Sequence, residues 1–108
     1  MMDGLSNWLS AYDKEVERYN GLQCNDRSEL NTLLQRLTII LSQLEHERSE
    51  AHTKHNSILF NYDGAVSRAN IVADHDVPEL YMLRRIMQAG YKIVESVRSN
   101  ISSLNKET

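Results

Sequence analysis

An unbroken heptad run of apolar residues near the carboxyl end constrains the fold of this chain most strongly. After Pro78, apolar side chains recur at alternating spacings of three and four residues, the pattern of a helix that packs against another helix. Asp76 and Pro78 supply a helix-start signal, so the spacing predicts a helix over 78–104. We expect its seam to be the interface of a homo-oligomer. That seam consists of Leu80, Leu83, Met87, Gly90, Val94, Val97, Ile101 and Leu104.

Three further segments carry helical patterns. Apolar residues at three- and four-residue intervals predict a short amphipathic helix over 5–19. The sequence Asp26-Arg27-Ser28-Glu29 resembles a capping box, with Asp26 or Ser28 as the cap. The leucine heptad that follows it predicts a long helix over 28–62. Gly64 marks a break, after which good helix formers predict a short helix over 65–73.

These patterns predict one all-α domain over residues 1–108. It has a short N-terminal helix plus two long helices that form a helical hairpin with heptad seams. A chain of 108 residues buries little apolar area alone, so we expect it to be oligomeric.

Composition limits the cellular locations and the kinds of ligand or catalysis that we expect for this chain. The net charge of −3 gives no global attraction to nucleic acid or to an anionic membrane, and no apolar run is long enough to span a bilayer. Cys24 is the single cysteine, so no intrachain disulfide forms and we expect an inert thiol in a cytoplasmic protein. The four glycines are isolated and form no phosphate loop. We expect no enzymatic activity, no cofactor and no membrane partner.

A polar stretch interrupts the second predicted heptad run. Residues 45–57 hold His46, His52 and His55 among several acids, with Ala51 as the single apolar residue. All three histidines lie on one predicted helix, whereas a helical metal site usually draws ligands from a second helix, so we expect no metal site. Two interpretations stay open: this stretch projects into solvent, or its polar seam residues fix the register of an oligomer.

A stripe of basic residues follows the seam of the last predicted helix. The e and f heptad positions there place cations beside a tyrosine, which suits a phosphate backbone and a stacked base. The candidate nucleic-acid-binding residues are Arg84, Arg85, Tyr91, Lys92 and Arg98. The alternatives are a surface for a protein ligand and a solvated flank without a ligand. Such a flank could also pair with acids of the first helix (Asp13, Glu15 and Glu17).

The order of elements resembles the UvsY-type recombination mediators of tailed phages. The resemblance covers roughly residues 55–104, and it rests on Tyr62-Asp63-Gly64, on the connector 73–77 and on Arg98-Ser99. It implies a small helical homo-oligomer that binds single-stranded DNA and works with a recombinase or a single-strand-binding protein, in the cytoplasm of a host cell if the chain is phage-encoded. Proteins of that family carry a pair of basic residues shortly before the tyrosine-glycine break, whereas residues 56–60 of this chain include no lysine or arginine. The stripe on the last helix would have to replace that pair.

The functional expectation is therefore an accessory protein that binds single-stranded DNA and recombination proteins as a homo-oligomer. The alternative is a small acidic helical protein that binds and inhibits or adapts a host protein, without nucleic acid. The two differ in what they need at the surface: an exposed basic stripe for the first, an exposed acidic or apolar patch for the second.

Overall fold

A computed structural model describes residues 3–22 and 26–107 of the chain. Within these residues the protein consists of four helices and has no strand, so the prediction of an all-α fold is confirmed. Each helix begins and ends within three residues of the corresponding predicted segment. The helices are α1 (Asp3–Gly21), α2 (Arg27–Asn61), α3 (Val66–Asp76) and α4 (Glu79–Glu107). Cys24, for which we predicted an inert thiol, lies outside the described residues.

The 35-residue helix α2 is the central element of the fold. It begins where the sequence predicts a cap: the carboxylate of Asp26 accepts a hydrogen bond from the backbone N–H of Glu29 at 3.1 Å. It ends at Asn61, and the chain then turns through Gly64, whose φ of +144° is accessible to glycine and rare for other residues.

Helices α1 and α4 both run antiparallel to α2. At one end, Arg27 Nη1 of α2 donates a hydrogen bond to Asn105 Oδ1 of α4 at 2.6 Å. Further along, Arg84 of α4 contacts His52 of α2, which fixes the opposite direction of the two helices. The result is an elongated molecule with extents of 63 × 27 × 18 Å.

The core lies where leucines of α2 meet the apolar face of α4. Its fully buried side chains are Leu30, Leu33, Leu37, Leu44, Leu83 and Val97. Six residues of the predicted oligomer seam are buried inside this one chain: Leu80, Leu83, Met87, Gly90, Val94 and Val97. The other two, Ile101 and Leu104, are partly buried against the same core.

The partner that covers this seam is therefore within the same chain. Association of copies through the seam stays a prediction, and it would require these intrachain contacts to be exchanged for contacts with a second copy. An association that leaves the chain as described would have to use another surface.

The polar stretch of α2 packs with one face on neighbouring helices. Ala51 is buried, and His52 and His55 are partly buried. The short helix α3 folds back along this end of α2 and buries Ala69 and Ala73. Because the stretch is covered on one side by helices of its own chain, it does not project freely into solvent.

Candidate nucleic-acid interface

The basic side chains predicted from the sequence lie on the exposed side of α4. Arg84, Arg85, Lys92 and Arg98 are all exposed. Among the described side chains, none of the four has a carboxylate within ion-pair distance, whereas Arg18, Arg36 and Arg48 each have one. Over the described residues, these four cations therefore have no ion-pair partner that would compete with an anionic ligand.

Three of these cations line one shallow groove of about 570 Å³, which we call the basic groove. Its lining residues are Tyr81, Arg84, Arg85, Gln88, Ala89 and Lys92. Arg98 and Tyr91 do not line it. The Tyr91 side chain is half exposed.

Arg48 is held by an acid of its own helix. Its guanidinium donates hydrogen bonds to both carboxylate oxygens of Glu45, the shortest at 2.7 Å. These hydrogen bonds hold the pKa of the Glu45 carboxyl below its ordinary value, against the opposing effect of desolvation. The charge of Arg48 is thus partly neutralised, so Arg48 attracts an anionic ligand less strongly than the cations of α4 that have no carboxylate partner among the described residues.

Tyr81 belongs to the basic groove, although the heptad analysis did not select it. Tyr81 is 67% exposed, and Arg85 Nη1 donates a hydrogen bond to its hydroxyl at 2.8 Å. The Arg85 guanidinium also lies over the ring, 5.6 Å from the centroid, a cation–π geometry. The signal in the sequence was the i, i+4 spacing of Tyr81 and Arg85, which places both side chains on one helix face.

A histidine of α2 orients Arg84. Arg84 Nη2 lies 3.1 Å from Nδ1 of His52, and because a guanidinium only donates hydrogen bonds, this nitrogen accepts. On the other side of the ring, Nε2 of His52 lies 3.1 Å from Nδ2 of Asn56. Because Nδ1 accepts from Arg84, Nε2 can take part in a hydrogen bond with Asn56 only when the amide oxygen faces the ring. His52 is therefore part of the interface, a role that the sequence analysis did not assign.

A second cavity opens where α2, α3 and α4 meet. This junction cavity has a volume of about 370 Å³ and an apolar wall of Val77, Pro78 and Leu80. His55 and Asp74 lie on its polar side, where Nε2 of His55 is 2.8 Å from Oδ1 of Asp74. Tyr81 and Arg84 line both the junction cavity and the basic groove, so the two are neighbours.

The acids of α1 do not neutralise the stripe on α4. Glu15 is buried and pairs with Arg18 at 3.4 Å and with Arg36 of α2 at 3.6 Å. No ion pair joins α1 to α4 among the side chains that the structure describes. One alternative from the sequence, a stripe paired with the first helix, is therefore not what these residues form.

No protein-family model, curated protein or solved structure matches this chain. Within residues 3–22 and 26–107, none of the helices has both the length and the hydropathy to cross a bilayer. Over the same residues, histidines, acids and cysteines do not gather in groups of three or more that suit a metal ion.

Proposed function

We propose that this protein binds single-stranded DNA through the exposed face of α4. The observation that carries the proposal is the set of four exposed cations without a carboxylate partner, placed beside two exposed tyrosines. Arg84, Arg85 and Lys92 supply phosphate contacts along the basic groove, and Arg98 extends the line of charge toward the carboxyl end of α4.

The aromatic side chains favour a single strand over a duplex. Bases stack on an exposed ring only when they are unpaired, and such stacking tolerates any sequence because every base has a π-face. Tyr91 is half exposed and has no ring or cation stacked on it among the described residues, so it presents a free face. Tyr81 already carries Arg85 on one face, and the arginine plane itself offers a second stacking surface.

The proposal extends to an accessory role with recombination proteins, as a homo-oligomer. Its support is the resemblance described above, at Tyr62-Asp63-Gly64 and Arg98-Ser99, together with the low charge of one copy. A chain of net charge −3 attracts DNA weakly, so several copies that present the stripe together would raise the affinity through effective concentration. The helical pair of α2 and α4 would form the rigid body of each copy.

Single-strand preference and ring stacking can be tested together. We expect the protein to bind a fluorescent 30-nucleotide single strand more tightly than the corresponding duplex in an anisotropy titration. Tyr91→Leu should weaken single-strand binding by about 1–3 kcal/mol and leave its salt dependence unchanged. The matched control is Phe60→Leu, because Phe60 is an aromatic residue that is 90% exposed and does not line the basic groove. Equal loss in both variants, or equal affinity for strand and duplex, would contradict a stacking surface at Tyr91.

A second candidate function is the binding of a protein partner. It is favoured by apolar side chains that stand in solvent near the junction of α2 and α3: Phe60 at 90%, Val66 at 76% and Ile71 at 69% exposure. A folded protein that binds neither strand nor duplex at low salt would leave this candidate in place of DNA binding.

A further inference from the structure

The junction cavity lies next to the basic groove. Tyr81 and Arg84 line both, so a strand whose phosphates follow Arg85 and Lys92 passes close to the cavity. Its volume of about 370 Å³ falls in the range of about 300–1,000 Å³ typical of pockets that hold small organic ligands. A nucleotide of the strand could therefore turn its base into the cavity while its phosphate stays on the groove.

The walls of the cavity suit a planar base on one side. Val77 and Leu80 are buried and apolar, and Pro78 and Tyr81 stand beside them. Flipped bases are held in this way, between aromatic or apolar side chains, and are identified through hydrogen bonds at their exposed edges. The apolar side of the junction cavity supplies the first half of that arrangement.

The polar side carries the carboxylate of Asp74, whose side chain is 76% exposed and has His55 as its partner. Oδ1 of Asp74 contacts Nε2 of His55 at 2.8 Å, and the His55 side chain is only 14% exposed. Oδ2 of Asp74 receives no hydrogen bond from the described residues, so it is an open acceptor. This carboxylate would repel a phosphate group, which rules against the cavity as a second phosphate site.

We infer that the junction cavity selects one unstacked guanine from the bound strand; this inference rests on the proposed function. Guanine carries two adjacent N–H donors, N1 and N2, that both suit the carboxylate of Asp74. Its O6 and N7 acceptors suit the guanidinium of Arg84, the commonest specific partner of guanine. Cytosine and adenine offer the carboxylate one amino group, and thymine offers one imide N–H.

The test uses 15-nucleotide oligo(dT) strands that differ only at the central position. The central base is dG, dA, dC, dT or deoxyinosine, which lacks the N2 amino group of guanine. We expect the dG strand to bind about tenfold more tightly than the dT strand, equal to about 1.4 kcal/mol at 25 °C. Deoxyinosine should lose most of that advantage, because Asp74 then meets a single donor.

Two isosteric variants separate recognition from charge. Asp74→Asn and Asp76→Asn each remove one negative charge from the carboxyl end of α3, but Asp76 pairs with its neighbour His75 and does not line the cavity. Both variants should bind oligo(dT) slightly better than the parent protein. The preference for dG should fall below twofold in Asp74→Asn and stay near tenfold in Asp76→Asn.

The outcomes distinguish this inference from the proposed function. Tight binding of all five strands within twofold of one another would overturn the guanine site and leave single-strand binding intact. A preference for dG that persists in Asp74→Asn would also overturn it. No binding of any strand by the folded parent protein would overturn the proposed function, and the guanine site with it.

Discussion

The contact of α4 with the core at Gly90 makes a sharp prediction about stability. A Cβ atom built on Gly90 would lie 2.6 Å from Cδ2 of Leu41 and 3.2 Å from Cε1 of Tyr12. Both neighbours are buried, Leu41 at 2% and Tyr12 at 7% exposure, so neither side chain can swing out into solvent. Gly90→Ala therefore forces the core apart at the point where α1, α2 and α4 meet.

Two opposing effects determine the size of the change. Alanine is favoured over glycine inside a helix by about 1 kcal/mol, whereas an extra methyl group in a packed core costs about 1–3 kcal/mol. The contact at 2.6 Å is far inside van der Waals distance, which places the steric effect in the upper part of its range. We expect Gly90→Ala to lower the free energy of unfolding by about 1–2 kcal/mol.

Urea denaturation followed by circular dichroism at 222 nm measures this change, and Leu41→Ala supplies the control. Leu41→Ala opens space where the new methyl group would lie, so adding Gly90→Ala to it should raise stability by up to about 1 kcal/mol. The substitution therefore reverses sign between the two backgrounds. A Gly90→Ala protein that is as stable as the parent, or an equal effect in both backgrounds, would refute the close packing at this position.

Other predictions concern the core and the pH dependence of stability. Leu83→Ala should lower the free energy of unfolding by about 2–5 kcal/mol in urea titrations, because Leu83 is fully buried; a loss below 1 kcal/mol would contradict its place in the core. Val94→Asp should unfold the single chain rather than only separate copies, because Val94 is buried within it, and loss of the helical circular dichroism signal checks this. Burial, and to a smaller extent the neighbouring Asp13, raises the pKa of Tyr12. The stability that Tyr12 contributes is therefore complete below its unfolded pKa of about 10, and it is lost as the pH rises through the folded pKa. Tyr12→Phe should flatten that alkaline loss in melts between pH 9 and 11. The lowered pKa of Glu45 acts in the opposite direction: its contribution is present above the unfolded pKa and is lost as the pH falls through the folded value, and Glu45→Gln should remove this part of the acid dependence.

The helices could be predicted from the sequence because their signals are local. The heptad spacing after Pro78, the cap at Asp26 and the break at Gly64 each act within a few residues of where they stand. The partner that covers a seam is not a local property. The same heptad pattern suits a second copy or a second helix of the same chain, and here α2 covers Leu83 and Val97.

The candidate site likewise has one part that local spacing predicts and one part that it does not. Arg84, Arg85 and Lys92 share one face of one helix, so their spacing places them together. His52 meets Arg84 across 32 positions of the chain, and His55 meets Asp74 across 19. No spacing rule joins residues so far apart on different helices. The junction cavity forms because α3 folds back along the end of α2, and no local pattern in the sequence indicates that packing.

The central claim is that the cations of the basic groove bind the phosphates of a single strand. Its most direct test compares two variants that lose the same charge, at several salt concentrations. The groove variant carries alanine at Arg84, Arg85 and Lys92; the control carries alanine at Lys14, Lys54 and Arg68, which are exposed and lie off the groove.

The measured quantity is the slope of log K against log salt for a fluorescent single strand. Each lost phosphate contact should reduce the slope by about 0.7, so the groove variant should differ from the parent by about 2 units. The control should keep a slope within about 0.7 of the parent value. Equal slopes in the two variants, or no binding by the folded parent protein at low salt, would contradict the account.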